Sequence, residues 1–328
     1  MMGIRILGTG SYVPKKVLTN FDLEKMMDTT DEWIRKRTGV IERRVAAPDE
    51  ACSDLALPAC QKALAAAGLT AQEIDLILVC TITPDTGCPA AANWLQAKLD
   101  APQAVTFDVA AACSGFIFGL NVAEQYLKTG AAKYVLVAAS EVMTRTLDYT
   151  DRATSILWGD GAGAAVLGWS DEDPQILSTH IHTDGANGQN LLMPGGGSMT
   201  TPISYESVDK KLHTLRMIGA AASVRVAVRR FVASCVEVCE ANDVSVQDIS
   251  LFIPHQANLR MLQSVAKRLE VPMERLYITV HKYGNISSAS AAIAFDEAVR
   301  DGSIKKGDLI VLTAFGGGLT WASALVRW

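Results

Sequence analysis

Short apolar runs alternate with longer amphipathic stretches along this chain. Ile74–Cys80, Val105–Val109 and Tyr134–Ala138 have strand length, while Ala90–Leu99 and Ser114–Leu127 between them have helical length. The same rhythm returns in Leu251–Ile253, Arg260–Leu269, Tyr277–Val280, Ala289–Val299 and Leu309–Leu312. Such alternation predicts an α/β fold with largely buried parallel strands. The least regular stretch, Asp171 to Gly197, separates the two series without a Pro/Ser-rich linker.

The returning rhythm has a constant offset. Leu69–Leu78 matches Val244–Ile253, Tyr134–Ala139 matches Leu309–Ala314, and Ile6–Gly10 matches Ile181–Gly185, all at a shift of 175. Any one match between short apolar strands is weak, but three at one shift point to an internal duplication. The expected halves are residues 1–172 and 173–328. Under this shift Cys113 corresponds to Ser288 and His255 to Cys80, so the chemically unusual residues fall at related strand ends. Open α/β sheets bind ligands outside the carboxyl ends of their strands.

Cys113 lies where the run Val105–Val109 gives way to an apolar helix, followed by the small pair Ser114-Gly115. A cysteine in a first helical turn feels the positive helix end, which favours thiolate; the plainer reading is a buried small hydrophobe. His255 follows Leu251–Pro254 directly, which places it at a strand end facing a pocket or, equally, in a structural role. Asn285, in Tyr283-Gly284-Asn285-Ile286-Ser287-Ser288, could cap a helix. Gly316-Gly317-Gly318 lets the backbone approach a ligand or makes a tight turn. His180 and His182 alternate along a strand, but no third metal ligand is evident, so no metal is expected. Gly8-Thr9-Gly10 and Gly159-Asp160-Gly161 fail to complete a dinucleotide fingerprint.

Length and composition fit these motifs to an enzyme-sized body. The 328 residues are 49% hydrophobic and 20% charged, with a net charge of -5. That balance gives no global attraction to nucleic acid or anionic membranes. Seven cysteines form no regular framework, and no stretch approaches a membrane span or a signal peptide. A soluble, cytoplasmic protein is expected.

Together, Ala111-Ala112-Cys113-Ser114-Gly115-Phe116, Pro254-His255-Gln256-Ala257-Asn258, Gly284-Asn285-Ile286-Ser287-Ser288 and Phe315-Gly316-Gly317-Gly318 resemble β-ketoacyl-acyl-carrier-protein synthase III of the thiolase superfamily. The resemblance runs from Gly8-Thr9-Gly10 to Trp328. It implies a duplicated five-layer αβαβα fold and a decarboxylating condensation that starts fatty-acid synthesis. In that reading Cys113 takes the acyl group from acyl-CoA, and His255 and Asn285 stabilise the enolate of malonyl-acyl-carrier protein. Backbone N–H groups of Cys113 and Gly317 form the oxyanion hole. Trp33, Arg37 and Arg152 bind CoA, and Arg260, Lys267 and Arg268 bind the acidic carrier protein. Cys88 and Trp158 shape the acyl pocket, Cys88 acting in the pocket of the partner subunit of a homodimer. No cofactor is implied beyond acyl-CoA as substrate.

Departures from the family pattern bear on specificity. Ala220–Arg225 stands after Met217-Ile218-Gly219 where the family carries an acid and a phenylalanine near the pantetheine channel. Cys88 is smaller, and Trp158 larger, than the residues common at their positions. A starter synthase of specialised metabolism remains the alternative within the superfamily, and a cysteine thioesterase or a non-catalytic acyl-binding protein the alternatives outside it.

Overall fold

A computed structural model describes residues 3–171, 175–198, 203–218 and 220–328, with backbone only for 220–223. The expected boundary at 172/173, Gly219 and the side chains of Ala220–Ser223 therefore lie outside the described residues. The first sheet is built from β1 (Gly3–Tyr12), β2 (Leu76–Cys80), β3 (Val105–Val109), β4 (Tyr134–Val142) and β5 (Asp160–Ser170). The second comprises β6 (Ile176–Thr183), β7 (Leu251–Pro254), β8 (Leu309–Gly316) and β9 (Thr320–Arg327). The strand order β1-β5-β4-β2-β3 in one sheet is repeated as β6-β9-β8-β7 in the other. Leu76 faces Val135 in the first sheet, and Leu251 faces Ile310 in the second. Both positions shift by 175, so the offset seen in the sequence is also an offset of register.

The parallel expectation holds for only part of each sheet. β2 pairs in parallel with β3 and β4, and β7 with β8, whereas β1, β5, β6 and β9 pair antiparallel with their neighbours. For β8 and β9 the cause is connection length. Only a few residues separate β8 from β9, enough for a hairpin and too few for a crossover.

Seven helices position the site: α1 (Asp31–Thr38), α2 (Cys52–Ala67), α3 (Ala91–Leu99), α4 (Gly115–Lys128), α5 (Ala220–Glu240), α6 (Leu259–Leu269) and α7 (Ala289–Arg300). Strand alternation distributes the core into layers. Leu76, Leu78 and Cys80 point inward with Ile310 and Leu312, where α4 and α7 bring Phe116, Leu120, Ile293 and Phe295 between the sheets. Ile77 and Val79 point outward onto Leu55, Ala59 and Leu95 of α2 and α3. Phe252 and Val311 meet Phe231, Cys235 and Leu262 of α5 and α6. The result is the thiolase-like order of helices, sheet, helices, sheet and helices. A Cβ on Gly8 or Gly10 would stand 2.3 Å from Ala63 O or 2.2 Å from Ala59 O, so these glycines let α2 lie close on β1.

The duplication is incomplete at one edge. The counterpart of β3 should fall near residues 280–284, and the sequence rhythm placed a strand at Tyr277–Val280. Instead a single bridge joins Phe252 to Leu276, and Val280–Tyr283 forms a short helix.

Candidate active site

Cys113 occupies a single 3-10 turn, Ala112–Ser114, just before α4 begins at Gly115. It therefore precedes the first turn of the helix rather than lying within it. Ala112 adopts φ +46°, a left-handed conformation costly for a residue with a Cβ. The other half of the molecule holds this turn: Thr320 Oγ1 donates to Ala111 O at 2.9 Å, and Ser114 Oγ donates to Thr320 O at 3.2 Å. Burial pushes the Cys113 thiol up to about 12, and a charge on Glu141 would act in the same direction. Hydrogen bonding from Ser287 and from the backbone N–H groups of Cys113 and Gly317 acts in the opposite direction. The expected bias toward thiolate is thus outweighed, because the sulfur is buried.

His255 leaves β7 with its backbone N–H donating to Thr313 O at 2.8 Å. Gln256 fixes the next turn. Its Nε2 donates to Pro254 O and Tyr277 O, and its Oε1 accepts from the N–H groups of Thr279 and Val280. Asn258 caps α6 by accepting from Met261 N–H at 2.9 Å. The His255 ring is 1% exposed. Burial lowers its pKa to about 3, against a backbone hydrogen bond with Ser287 that acts the other way, so the imidazole is neutral at pH 7; Nδ1 has no aligned partner among the described residues.

Asn285 is placed by two backbone bonds, its N–H to Leu157 O at 2.8 Å and Gly159 N–H to its carbonyl at 3.0 Å. Its Oδ1 accepts from Ser287 N–H at 2.8 Å. A backbone donor requires an oxygen at that position, so the side-chain amide is oriented and its NH₂ group is left to serve the site. Ser287 has φ +46°, the same value as Ala112, and the two positions differ by 175.

Cys113, His255, Asn285 and Gly317 all line one cavity of about 140 Å³. Trp158, Leu157, Met217, Met261 and Phe315 make its wall mostly apolar. Such a cavity suits an acyl thioester whose carbonyl meets a few convergent polar groups. Cys88 does not line it: that residue is exposed on its own chain.

The basic candidates gather at the mouth. Arg37, Arg260 and Lys267 line one groove with Asn258 and Met261, which also line the cavity. Lys267 and Arg268 meet Arg225 in a second groove between α5 and α6. Trp33 carries two guanidinium groups on its ring, Arg37 at 4.6 Å and Arg152 at 4.9 Å. A flat ring entering between Trp33 and Arg152 needs about 7 Å, twice a van der Waals contact, so Arg152 has to swing away first.

Two features escaped the sequence reading. Glu141 is buried beneath the site, its signal being one carboxylate in the otherwise apolar and small run of β4. The carboxylate of Glu237 on α5 lies 3.1 Å from His180 Nδ1 and 2.8 Å from His182 Nε2. This trio joins α5 to β6. Among the described residues no group of three or more His, Cys, Asp or Glu side chains is arranged to hold a metal ion, and no helix is long and apolar enough to cross a membrane.

Comparison with known proteins gives a consistent picture. Residues 107–185 match the family model 3-oxoacyl-[acyl-carrier-protein] synthase III, and residues 239–328 match the model of its C-terminal part. A β-ketoacyl-[acyl-carrier-protein] synthase III from Caldanaerobacter subterraneus is 49% identical over 98% of this chain and 97% of its own. One from Alkalilimnicola ehrlichii is 50% identical over 99% of each chain. The crystal structure of the synthase III from Aquifex aeolicus superposes with a TM-score of 0.91 at 42% identity, covering 99% of this chain and all of its own.

Proposed function

This chain belongs to the 3-oxoacyl-[acyl-carrier-protein] synthase III family, and from that premise we propose a residue-level account of its reaction. The protein is a condensing acyltransferase: it joins an acyl-CoA primer to malonyl-acyl-carrier protein with loss of CO₂ and initiates fatty-acid synthesis. What supports the assignment of roles is the convergence of Cys113, His255, Asn285 and Gly317 on one apolar cavity.

Cys113 Sγ attacks the acyl-CoA carbonyl. The new S–C bond forms as the C–S bond to CoA breaks, and the thiol proton ends on the CoA sulfur. Backbone N–H groups of Cys113 and Gly317 face the oxygen that carries charge in the tetrahedral intermediate. The malonyl thioester then loses CO₂, leaving an enolate. A neutral His255 donates from Nε2 and Asn285 from Nδ2 to the enolate oxygen. Carbon attack on acyl-Cys113 makes the C–C bond, breaks the S–acyl bond and returns the sulfur for reprotonation.

Trp33, Arg37 and Arg152 bind the CoA nucleotide, and Trp158 limits the depth of the acyl cavity. The exposed cations Arg260, Lys267 and Arg268 receive the acidic carrier protein. A homodimer forms through the free edge of the first sheet, where β3 is terminal and Val105 is 60% exposed; Cys88 then borders the pocket of the partner. The two halves, residues 1–172 and 173–328, are the units of the duplication. Seven free cysteines suit a reducing cytoplasm.

The test is intact mass spectrometry after exposure to a panel of acyl-CoAs, followed by malonyl-carrier protein. An acyl adduct on Cys113 that discharges as a 3-ketoacyl product with CO₂ is expected. Release of free acid alone overturns the reading in favour of a thioesterase.

A further inference from the structure

Beneath the cavity, Glu141 is fully buried and touches both halves of the molecule. Its Oε2 accepts three hydrogen bonds, from Thr83 Oγ1 at 2.6 Å, Thr81 Oγ1 at 3.1 Å and Ile82 N–H at 3.1 Å. The donor assignments are consistent, because Val142 N–H donates to Thr83 Oγ1, and Thr83 N–H to Thr81 Oγ1. Each threonine hydroxyl therefore has its proton free for Oε2.

The other oxygen meets a different environment. Ser288 Oγ lies 2.9 Å from Glu141 Oε1 and 2.8 Å from Cys80 O. A serine hydroxyl has one proton, and a backbone carbonyl only accepts. If Ser288 gives its proton to Cys80, the 2.9 Å contact with Oε1 lacks a hydrogen unless Glu141 supplies it. The longer approach of Ser288 N–H to Oε1, at 3.4 Å, does not compete for that proton. With Ser288 donating to Cys80 O, one arrangement satisfies every group: Oε1–H donates to Ser288 Oγ.

From this count we infer that Glu141 is held as an uncharged carboxylic acid whose proton bridges to Ser288, making it a positioning residue for the turn that carries Asn285 and Ser287. Burial raises its pKa, and the leading opposing influences are its contacts with the uncharged groups of Thr83, Ile82, Ser288 and Ser287, with no cation among them. The titratable groups that would feel a charge on it are the buried thiols Cys52 on α2, Cys80 on β2 and Cys113, with Asp85 and Asp108 further acids acting on the first two. An ionised Glu141 would oppose Cys113 ionisation and the enolate charge alike. The neutral acid holds the turn without that cost. Ser287 Oγ, which has no aligned partner among the described residues, lies close enough to both Cys113 and Glu141 to influence each.

Two measurements on the full chain test this, and neither depends on condensation activity. The first is the pH profile of Cys113 alkylation by iodoacetamide, followed by intact mass. Glu141→Gln, which keeps one acceptor and one donor, is expected to leave the profile in place. A downward move of about one unit or more means that a charge was removed, and overturns the inference. Glu141→Gln should also keep kcat within about threefold, while Glu141→Ala, which frees Ser288, loses about tenfold or more in kcat with the KM for acyl-CoA unchanged. The second measurement is infrared spectroscopy of the wild-type protein at pH 7. A protonated-carboxyl stretch is expected, and it should shift in Thr83→Val, which removes one donor to Oε2. Absence of the band, or a band indifferent to Thr83→Val, overturns the inference even where Glu141→Gln fails to fold.

Discussion

A Cβ on Gly316 would stand 2.7 Å from the backbone nitrogen of Cys113 and 3.2 Å from its Cβ. The glycine preceding Gly317 therefore serves Cys113 directly: it lets β8 close against the turn that carries the sulfur. Gly316→Ala must push that turn aside. We expect acylation of Cys113 to slow by about 10²-fold, the penalty of a displacement near 1 Å, with a loss of about 1–3 kcal/mol in global stability from overpacking. Single-turnover acylation and thermal melting separate the two effects.

In the proposed mechanism the nucleophile Cys113 and the enolate donors His255 and Asn285 come from different halves, so the half-reactions should separate. Cys113→Ala is expected to abolish the acyl adduct while retaining malonyl decarboxylation. Asn285→Ala should do the reverse, leaving acylation intact and slowing CO₂ release by about 10²–10³-fold, the usual loss for one oxyanion donor. Loss of all decarboxylation in a folded Cys113→Ala protein counts against this division.

His255 makes a signed prediction about pH. In the unfolded chain its pKa is 6.5, and in the folded site it is about 3. Between those values the unfolded chain binds a proton that the folded chain refuses, so this residue's contribution erodes stability as pH falls from 6.5 toward 3. His255→Asn should flatten that limb of the stability curve, as measured by urea titration across pH. An unchanged limb contradicts burial of a neutral imidazole. Decarboxylation should show no acid limb from this residue above pH 4, because its folded pKa is about 3.

Charge at the mouth should act on one substrate only. Arg268→Glu, on the exposed face of α6, is expected to raise the KM for malonyl-carrier protein about tenfold at low salt and to leave the KM for acyl-CoA alone. The effect should shrink at higher ionic strength. Equal effects on both substrates point to a shared nucleotide site.

Trp158 is 2% exposed and lines the cavity. Trp158→Ala should admit longer primers, read as a shift in the acyl adducts formed from a mixed CoA panel. Its cost in stability is about 3–5 kcal/mol, typical of removing a buried aromatic side chain.

Much of this architecture was legible in the sequence because the core obeys simple periodicities. Leu76–Cys80 and Leu309–Gly316 are buried on both faces and read as strands without help from context. Cys113, His255 and Asn285 stood out because each follows an apolar run or a glycine. Two kinds of information were hidden. Tyr277–Val280 has the composition of a strand, yet Gln256 captures the N–H groups of Thr279 and Val280 and turns the chain away from the sheet. The ionisation of Cys113 depends on burial by distant segments, which no local pattern records. The seat of Glu141 likewise needs Thr81, Thr83 and Ser288, all distant from it along the chain.

The matched φ of +46° at Ala112 and Ser287 gives the two halves the same kinked socket, put to different ends. In the first, the residue after the kink is the thiol Cys113. In the second, the same place holds Ser288, which meets Glu141 from across the seam. Beside it a short helix stands where the first half has a strand, and the chain there leads on to Asn285 in the same cavity as Cys113. The asymmetry of this protein thus lies in what each copy of one socket holds.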